Sequence, residues 1–88
     1  MRLVRTNDGA LGWLVSKDTV KWCHSVEKLK AYGSLLWNFK YHEFLFFCKE
    51  VDLALKYMDK TGDTIAEFGI FGSFMYTTTE EEEAERKF

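Results

Sequence analysis

The amino-acid sequence predicts an α+β fold with a small antiparallel sheet. The sheet is expected to combine an N-terminal hairpin with a C-terminal strand or hairpin, and one long helix packs across one face, accompanied by a shorter second helix. Three patterns predict this fold: a turn between two short strand-like runs, an apolar stripe at helical spacing, and a final stretch of alternating apolar residues. The 88 residues suffice for one domain, which we expect to occupy residues 1–79.

Residues 2–16 have the pattern of a β-hairpin. Two short runs of β-forming residues flank Asn7-Asp8-Gly9. These three residue types suit a tight turn because they tolerate the positive φ angles that it requires. On the returning strand, alternate residues share one face. These residues are Leu11, Trp13 and Val15.

Residues 18–33 fit two structures. A single helix is favoured, because Asp18 is a good N-cap and Gly33 suits a left-handed stop at the C-terminal end. The apolar face of that helix would be formed by Trp22, Val26 and Leu29. The alternative is a strand over 19–24 followed by a short helix capped by Ser25, because apolar residues also alternate there.

Residues 42–60 carry the clearest helical pattern. Apolar side chains recur at spacings of 3, 1, 3, 4 and 3 residues, at Phe44, Phe47, Cys48, Val51, Leu55 and Met58. Gly62 can adopt the left-handed conformation and end the helix. The pattern leaves the start of the helix open, near Ser34 or near His42, since Ser34 could cap an earlier first turn.

Residues 64–77 are predicted to be extended. One face carries Ala66, Phe68, Ile70, Phe74 and Tyr76, and the other carries Ile65, Phe71 and Met75. Two arrangements fit: one long strand, or two strands over 65–71 and 74–79 joined by a type II′ turn at Gly72-Ser73. Residues 80–88 are expected to form an acidic tail or a short frayed helix.

Composition and charge exclude several classes of function. A net charge of −2 and a pI of about 5.6 do not provide the basic stripe of a nucleic-acid-binding protein. No run of 18 or more apolar residues is present, so we expect no membrane helix. Cys23 and Cys48 are too few for the disulfide framework of a small secreted domain, which predicts reduced thiols and a cytoplasmic location.

Residue types that carry chemistry do not form a recognisable centre. The soft or borderline metal ligands are Cys23, His24, His42 and Cys48, and they lack the two close pairs that zinc requires. Cys48 lies within the apolar helical stripe, so we expect it to be buried and inert. Glu67 interrupts an apolar strand, where a charge discourages aggregation between strands. We therefore expect no catalysis, no cofactor and no metal.

Aromatic residues indicate a binding surface. They make up 17% of the chain, and five large apolar residues fall within 34–41. Exposed Trp and Tyr side chains are favoured anchors of protein interfaces. The candidate partner-binding residues are Trp37, Tyr32, Phe39, Tyr41, Trp22 and Trp13.

These patterns together predict a small, non-enzymatic protein-interaction module that inhibits a protein partner by covering its surface. Such a compact, proline-free chain would suit a phage or mobile element that blocks a host defence protein. The alternative is an oligomeric protein that binds or sequesters a nucleotide, with aromatic rings stacking the base and lysines holding the phosphate. Because residues 65–76 are apolar on both faces, we also expect homo-oligomers.

Overall fold

The computed structural model describes residues 1–75, in which two helices cover one face of an antiparallel sheet. The elements in chain order are β1 (Arg2–Arg5), β2 (Leu11–Ser16), β3 (Thr19–Cys23), α1 (Val26–Trp37), α2 (Tyr41–Thr61), β4 (Ile65–Phe68) and β5 (Phe74–Met75). The five strands lie side by side in the order β3-β2-β1-β4-β5. This architecture confirms the predicted α+β fold, with a long helix and a shorter one.

The N-terminal hairpin forms as the sequence predicts. β1 and β2 pair antiparallel, and Gly9 in the connecting turn has a φ of 93°. The turn is closed by the Thr6 N–H, which donates to the Ala10 carbonyl at 2.9 Å. Local turn chemistry therefore determines this part of the sheet.

The single helix favoured over 18–33 is wrong, and the alternative is confirmed. The chain first forms β3 and then α1, whose N-cap Ser25 accepts a hydrogen bond from the Lys28 N–H at 3.2 Å. Asp18 is not a helix cap, because it lies in the short turn that returns β2 into β3. The strand is favoured because its backbone pairs with the outer edge of β2, and that edge would stay unpaired if these residues formed a helix.

The sequence suggested that Gly33 ends a helix, and this prediction is wrong. It lies within α1, which continues to Trp37 and ends at Asn38 in the left-handed conformation with a φ of 52°. The glycine instead permits a close approach of α1 to the core. A Cβ atom at this position would lie 2.6 Å from Cζ of Phe47 and 2.9 Å from Cζ2 of Trp13.

The long helix α2 begins at Tyr41, and Ser34 belongs to α1, where its hydroxyl donates to the Ala31 carbonyl at 2.7 Å. The helix α2 ends where the sequence predicts, because Gly62 is left-handed with a φ of 79° and donates its N–H to the Met58 carbonyl. The apolar stripe faces the sheet. Its fully buried members are Phe47, Val51 and Met58, and Ala54, which the predicted stripe did not include, is buried as well.

The C-terminal segment is a hairpin rather than one long strand. β4 and β5 pair antiparallel, and residues 69–73 connect them in a longer loop than the expected two-residue turn. Gly72, with a φ of 72°, allows the loop to close, and the Gly69 N–H donates to the Ser73 carbonyl at 2.8 Å. Tyr76 and the acidic segment 80–88 lie outside the described residues.

Trp13 is the centre of the core. Its side chain has no exposed surface, and its Nε1–H donates to the Leu29 carbonyl at 2.8 Å. Its ring also contacts Trp37, Phe47 and Phe68 at centroid distances of 5.2–5.8 Å. This corrects the expected placement of Trp13 at a partner surface: a tryptophan on the inward face of the central hairpin is needed to fill the core.

Neither helix within residues 1–75 combines the length and the apolar composition that crossing a membrane requires.

Candidate interaction surfaces

The four most exposed large hydrophobic side chains of residues 1–75 lie at one end of the fold. They are Ile70 (83% exposed), Phe71 (77%), Leu35 (76%) and Tyr41 (71%), and we name them the apolar tip. Two of them flank the connection between α1 and α2, and the other two lie in the loop between β4 and β5. The next most exposed large hydrophobic residue of this part of the chain, Met75, is only 49% exposed.

The apolar tip rests on an ordered base. The two connections are in contact, because a Cβ atom at Gly72 would lie 2.6 Å from Cζ of Phe39. The Phe39 ring in turn stacks on Trp37, with 5.8 Å between centroids and 3° between planes. The loop that carries Ile70 and Phe71 is therefore fixed by packing against an aromatic layer, and both side chains are exposed from an ordered segment.

The six aromatic residues expected to bind a partner do not share one surface. Tyr41 is part of the apolar tip, and Trp37 and Phe39 are half-buried at the α1–α2 connection that Leu35 and Tyr41 flank. Trp13 is in the core. Three of the expected residues thus build or support the tip from the segment 32–41 that the sequence singled out.

Tyr32 and Trp22 lie apart from the tip. The Tyr32 ring is half-buried on α1, and the Lys21 Nζ lies 5.6 Å from its centroid, within the range of a cation–π contact. Trp22 is on the opposite side of the sheet. A Cβ atom at Gly12 would lie 3.0 Å from Cε3 of Trp22, so the indole covers this glycine.

The sheet face opposite the helices is a second surface, and no other element of residues 1–75 covers it. Leu3, Trp13 and Ala66 point into the core, so their strand neighbours point away from it. The register places these outward residues in two rows across the strands. The first row is Trp22, Gly12, Val4 and Ile65, and the second is Val20, Leu14, Arg2, Glu67 and Met75. We name these nine residues the open sheet face.

The open sheet face is apolar around one central ion pair. Trp22, Ile65 and Met75 are each exposed by nearly half, and the valines and Leu14 are half-buried between their neighbours. The Arg2 Nε lies 2.7 Å from Oε2 of Glu67 on the adjacent strand. Glu67 therefore has a partner on the sheet itself, in addition to the role against aggregation expected for it.

Sequence reasoning did not place Ile70 and Phe71 together at a surface. It assigned them to opposite faces of a strand, whereas both lie in the loop of residues 69–73. The available signal was the pair of glycines, Gly69 and Gly72, that bracket them. Two glycines around two residues are typical of a turn, in which both intervening side chains can project from the protein.

The two thiols, Cys23 and Cys48, are both half-buried, so Cys48 is less enclosed than its place in the apolar stripe predicted. Burial raises the pKa of the Cys23 thiol and of the Cys48 thiol, so both are protonated at neutral pH. No three His, Cys, Asp or Glu side chains of these residues lie close enough together to hold a metal ion. A polar cleft of about 310 Å³ lies at the end of the N-terminal hairpin, where Arg5 is already paired with Asp59.

No known protein family, curated protein or solved structure matches the chain. The molecular class is therefore defined by the fold and its two apolar surfaces: a small α+β domain with a projecting apolar tip and an open sheet face.

Proposed function

We propose that the chain is a protein-interaction module that inserts its apolar tip into an apolar pocket or groove of a protein partner and inhibits that partner by occlusion. One observation supports this above the others. The four most exposed large hydrophobic side chains of residues 1–75 come from the β4–β5 loop and from the helix ends that flank the α1–α2 connection, and Gly72 and Phe39 bring these two segments into contact. Single exposed apolar residues are ordinary, but such a cluster marks an interaction surface.

The shape of the tip defines the partner. Ile70 and Phe71 project from a loop, so the complementary surface is concave and apolar. Full burial of one such side chain contributes about 1.5–3 kcal/mol. Because Gly72 and Phe39 already hold the loop in place, little of this free energy is lost to ordering the chain on binding.

The two thiols indicate the cellular compartment in which this interaction takes place. Cys23 and Cys48 are free thiols, which favours the reducing cytoplasm. The module acts there without catalysis, and its target is a host protein whose functional pocket the tip fills. An inhibitor of this kind carried by a phage or mobile element requires only tight binding.

Substitution of the tip tests the proposal. The tagged full chain, an Ile70→Asp variant and a Phe71→Asp variant are used to capture proteins from a lysate of the host cell, and the captured proteins are quantified. We expect one protein that the wild type retains and both variants lose. Binding of the purified partner should weaken at least about 30-fold, the effect of losing an anchor of about 2 kcal/mol.

A matched control separates the tip from general hydrophobicity. Leu53 is 46% exposed on the outer surface of α2, about 18 Å along the helix axis from Tyr41. Leu53→Asp should leave binding unchanged. If both tip variants retain every protein that the wild type retains, the proposal is wrong.

The nucleotide-binding alternative has its own measurement. Its best-supported location is the Tyr32 ring with Lys21 beside it, where a base and a phosphate could be held. A panel of nucleotides is added to the purified chain while the unfolding temperature is recorded. A concentration-dependent rise with one nucleotide, abolished by Tyr32→Ala, would favour this alternative over the interaction module.

A further inference from the structure

We propose that a second copy of this chain packs on the open sheet face, related to the first by a two-fold axis parallel to the strands and midway between β1 and β4. The strand order β3-β2-β1-β4-β5 determines what meets across this axis. β1 lies over β4 of the partner subunit, and β2 lies over β5 of the partner subunit. The result is a sandwich of two sheets with the helices on both outer sides.

The ion pair on the face supports a second copy as the occupant. Arg2 and Glu67 are directly opposite each other on β1 and β4, on either side of the proposed axis. A two-fold rotation therefore places Arg2 opposite Glu67 of the partner subunit, and Glu67 opposite Arg2 of the partner subunit. Such a surface is electrostatically complementary to itself, which an interface between identical subunits requires.

The apolar residues follow the same rotation. Val4 and Ile65 belong to one row and are exchanged by the axis, so each lies opposite the other in the partner subunit. Leu14 and Met75 share the second row and meet in the same way. Each apolar side chain in the overlap thus meets an apolar side chain, and each charge meets its opposite.

The overlap between the two sheets has the area of a small interface. Four strands spaced by about 4.8 Å span about 19 Å, and two rows of side chains extend about 14 Å along the strands. The flat area of this rectangle is about 270 Å² per subunit, and the relief of the side chains brings the buried area to at most about 500 Å² per subunit, or about 1,000 Å² in total. Interfaces of that size are at the lower end for stable complexes, so we expect a weak dimer that dissociates on dilution.

Self-association through the edge of the sheet is less favourable. β3 is an edge strand of the described sheet, and Lys21 is its central residue. Antiparallel pairing of β3 with its own copy about that centre would place two lysines opposite each other, which destabilises a strand pair. The open sheet face has no such conflict.

Charge reversal tests the axis directly. Arg2→Glu and Glu67→Arg each remove the ion pair within a subunit and place like charges opposite each other across the interface. Sedimentation equilibrium of the full chain should show a dimer for the wild type, with each variant dimerising at least about 10-fold more weakly. An equimolar mixture of the two variants should recover the dimer, because every cross-subunit contact is then between opposite charges.

The mixture distinguishes contact between subunits from stability within one. Both variants lack their internal ion pair in the mixture as well, so recovered association can come only from the pairing across the interface. Met75→Lys, on the apolar part of the overlap, should also weaken the dimer. The proposal is overturned if the wild type is monomeric up to about 1 mM, or if the mixture stays monomeric. In either case residues 76–88 or an unrelated protein would remain as the alternative occupants of the face.

The dimer and the apolar tip are tested separately. Ile70→Asp should leave the dissociation constant of the dimer unchanged, because Ile70 lies outside the open sheet face. Arg2→Glu should leave the residues of the tip intact. Failure of one proposal therefore does not affect the other.

Discussion

Gly33→Ala tests the close packing of α1 against the core. Helix propensity alone predicts that alanine stabilises the helix by about 1 kcal/mol. The structure predicts the opposite. The new Cβ would lie 2.6 Å from Cζ of Phe47 and 2.9 Å from Cζ2 of Trp13, whereas carbon atoms in ordinary contact are about 3.5–4.0 Å apart. Both rings are fully buried, so neither can move without displacing its neighbours.

The net effect is a difference between these two contributions. Forcing an extra methyl group into a packed core costs about 1–3 kcal/mol. Two rigid rings are approached at once, so the upper part of that range applies, and about 1 kcal/mol of helix propensity offsets it. We expect a net loss of about 1–2 kcal/mol, which lowers the unfolding temperature of a domain of this size by roughly 5–15 °C.

Urea and thermal unfolding followed by circular dichroism provide the measurement. Ala31→Gly, at an exposed position of the same helix, measures propensity alone and should cost about 1 kcal/mol. In a Phe47→Leu background the smaller side chain relieves the closer contact but not the one with Trp13, so adding Gly33→Ala should cost less than it does in the wild type. If Gly33→Ala is as stable as the wild type in the original background, the two helices and Trp13 do not meet as described.

Two further predictions concern a glycine and the thiols. Gly72→Ala should cost about 1–3 kcal/mol in urea unfolding, because it combines a positive φ with a clash against Phe39; Gly9→Ala has a positive φ but open space, and should cost less. Burial raises the pKa of Cys23 and Cys48, so fewer thiolates exist at a given pH. Ellman's reagent should therefore react more slowly, and with a higher midpoint pH, than with the urea-unfolded chain; equal rates would contradict this.

Elements defined by local chemistry were predictable from the sequence. The N-terminal hairpin follows from a turn whose glycine takes a positive φ, and α2 follows from its long stripe and from Gly62. The segment 18–33 was not predictable in this way, because helical and alternating patterns fit the same residues. Hydrogen bonding to β2 decides between them, and that pairing is a tertiary interaction.

The candidate surfaces were predictable only in part. The segment 32–41 does supply part of the apolar tip, but residue type does not reveal which aromatic rings are buried in the core. Trp13 fills the core because β2 is an interior strand of a sheet that has helices on one side only. The tip depends on a tertiary contact, because Gly72 packs the loop that carries Ile70 and Phe71 against the α1–α2 connection.

The two proposed surfaces have a joint consequence. Leu35 and Tyr41 belong to the helix layer, on the other side of the sheet from Arg2 and Glu67. A dimer formed through the open sheet face therefore leaves Leu35 and Tyr41 of both copies accessible, and Ile70 and Phe71 lie in a loop outside the overlapping strands. Against a partner that is itself oligomeric, binding of the first tip raises the effective concentration of the second, provided that the spacing of the sites matches. A monomeric partner offers only one site, so dimerisation gives no gain in affinity for it. A dimer of this chain, even a weak one, would therefore bind an oligomeric target more tightly than a monomeric one.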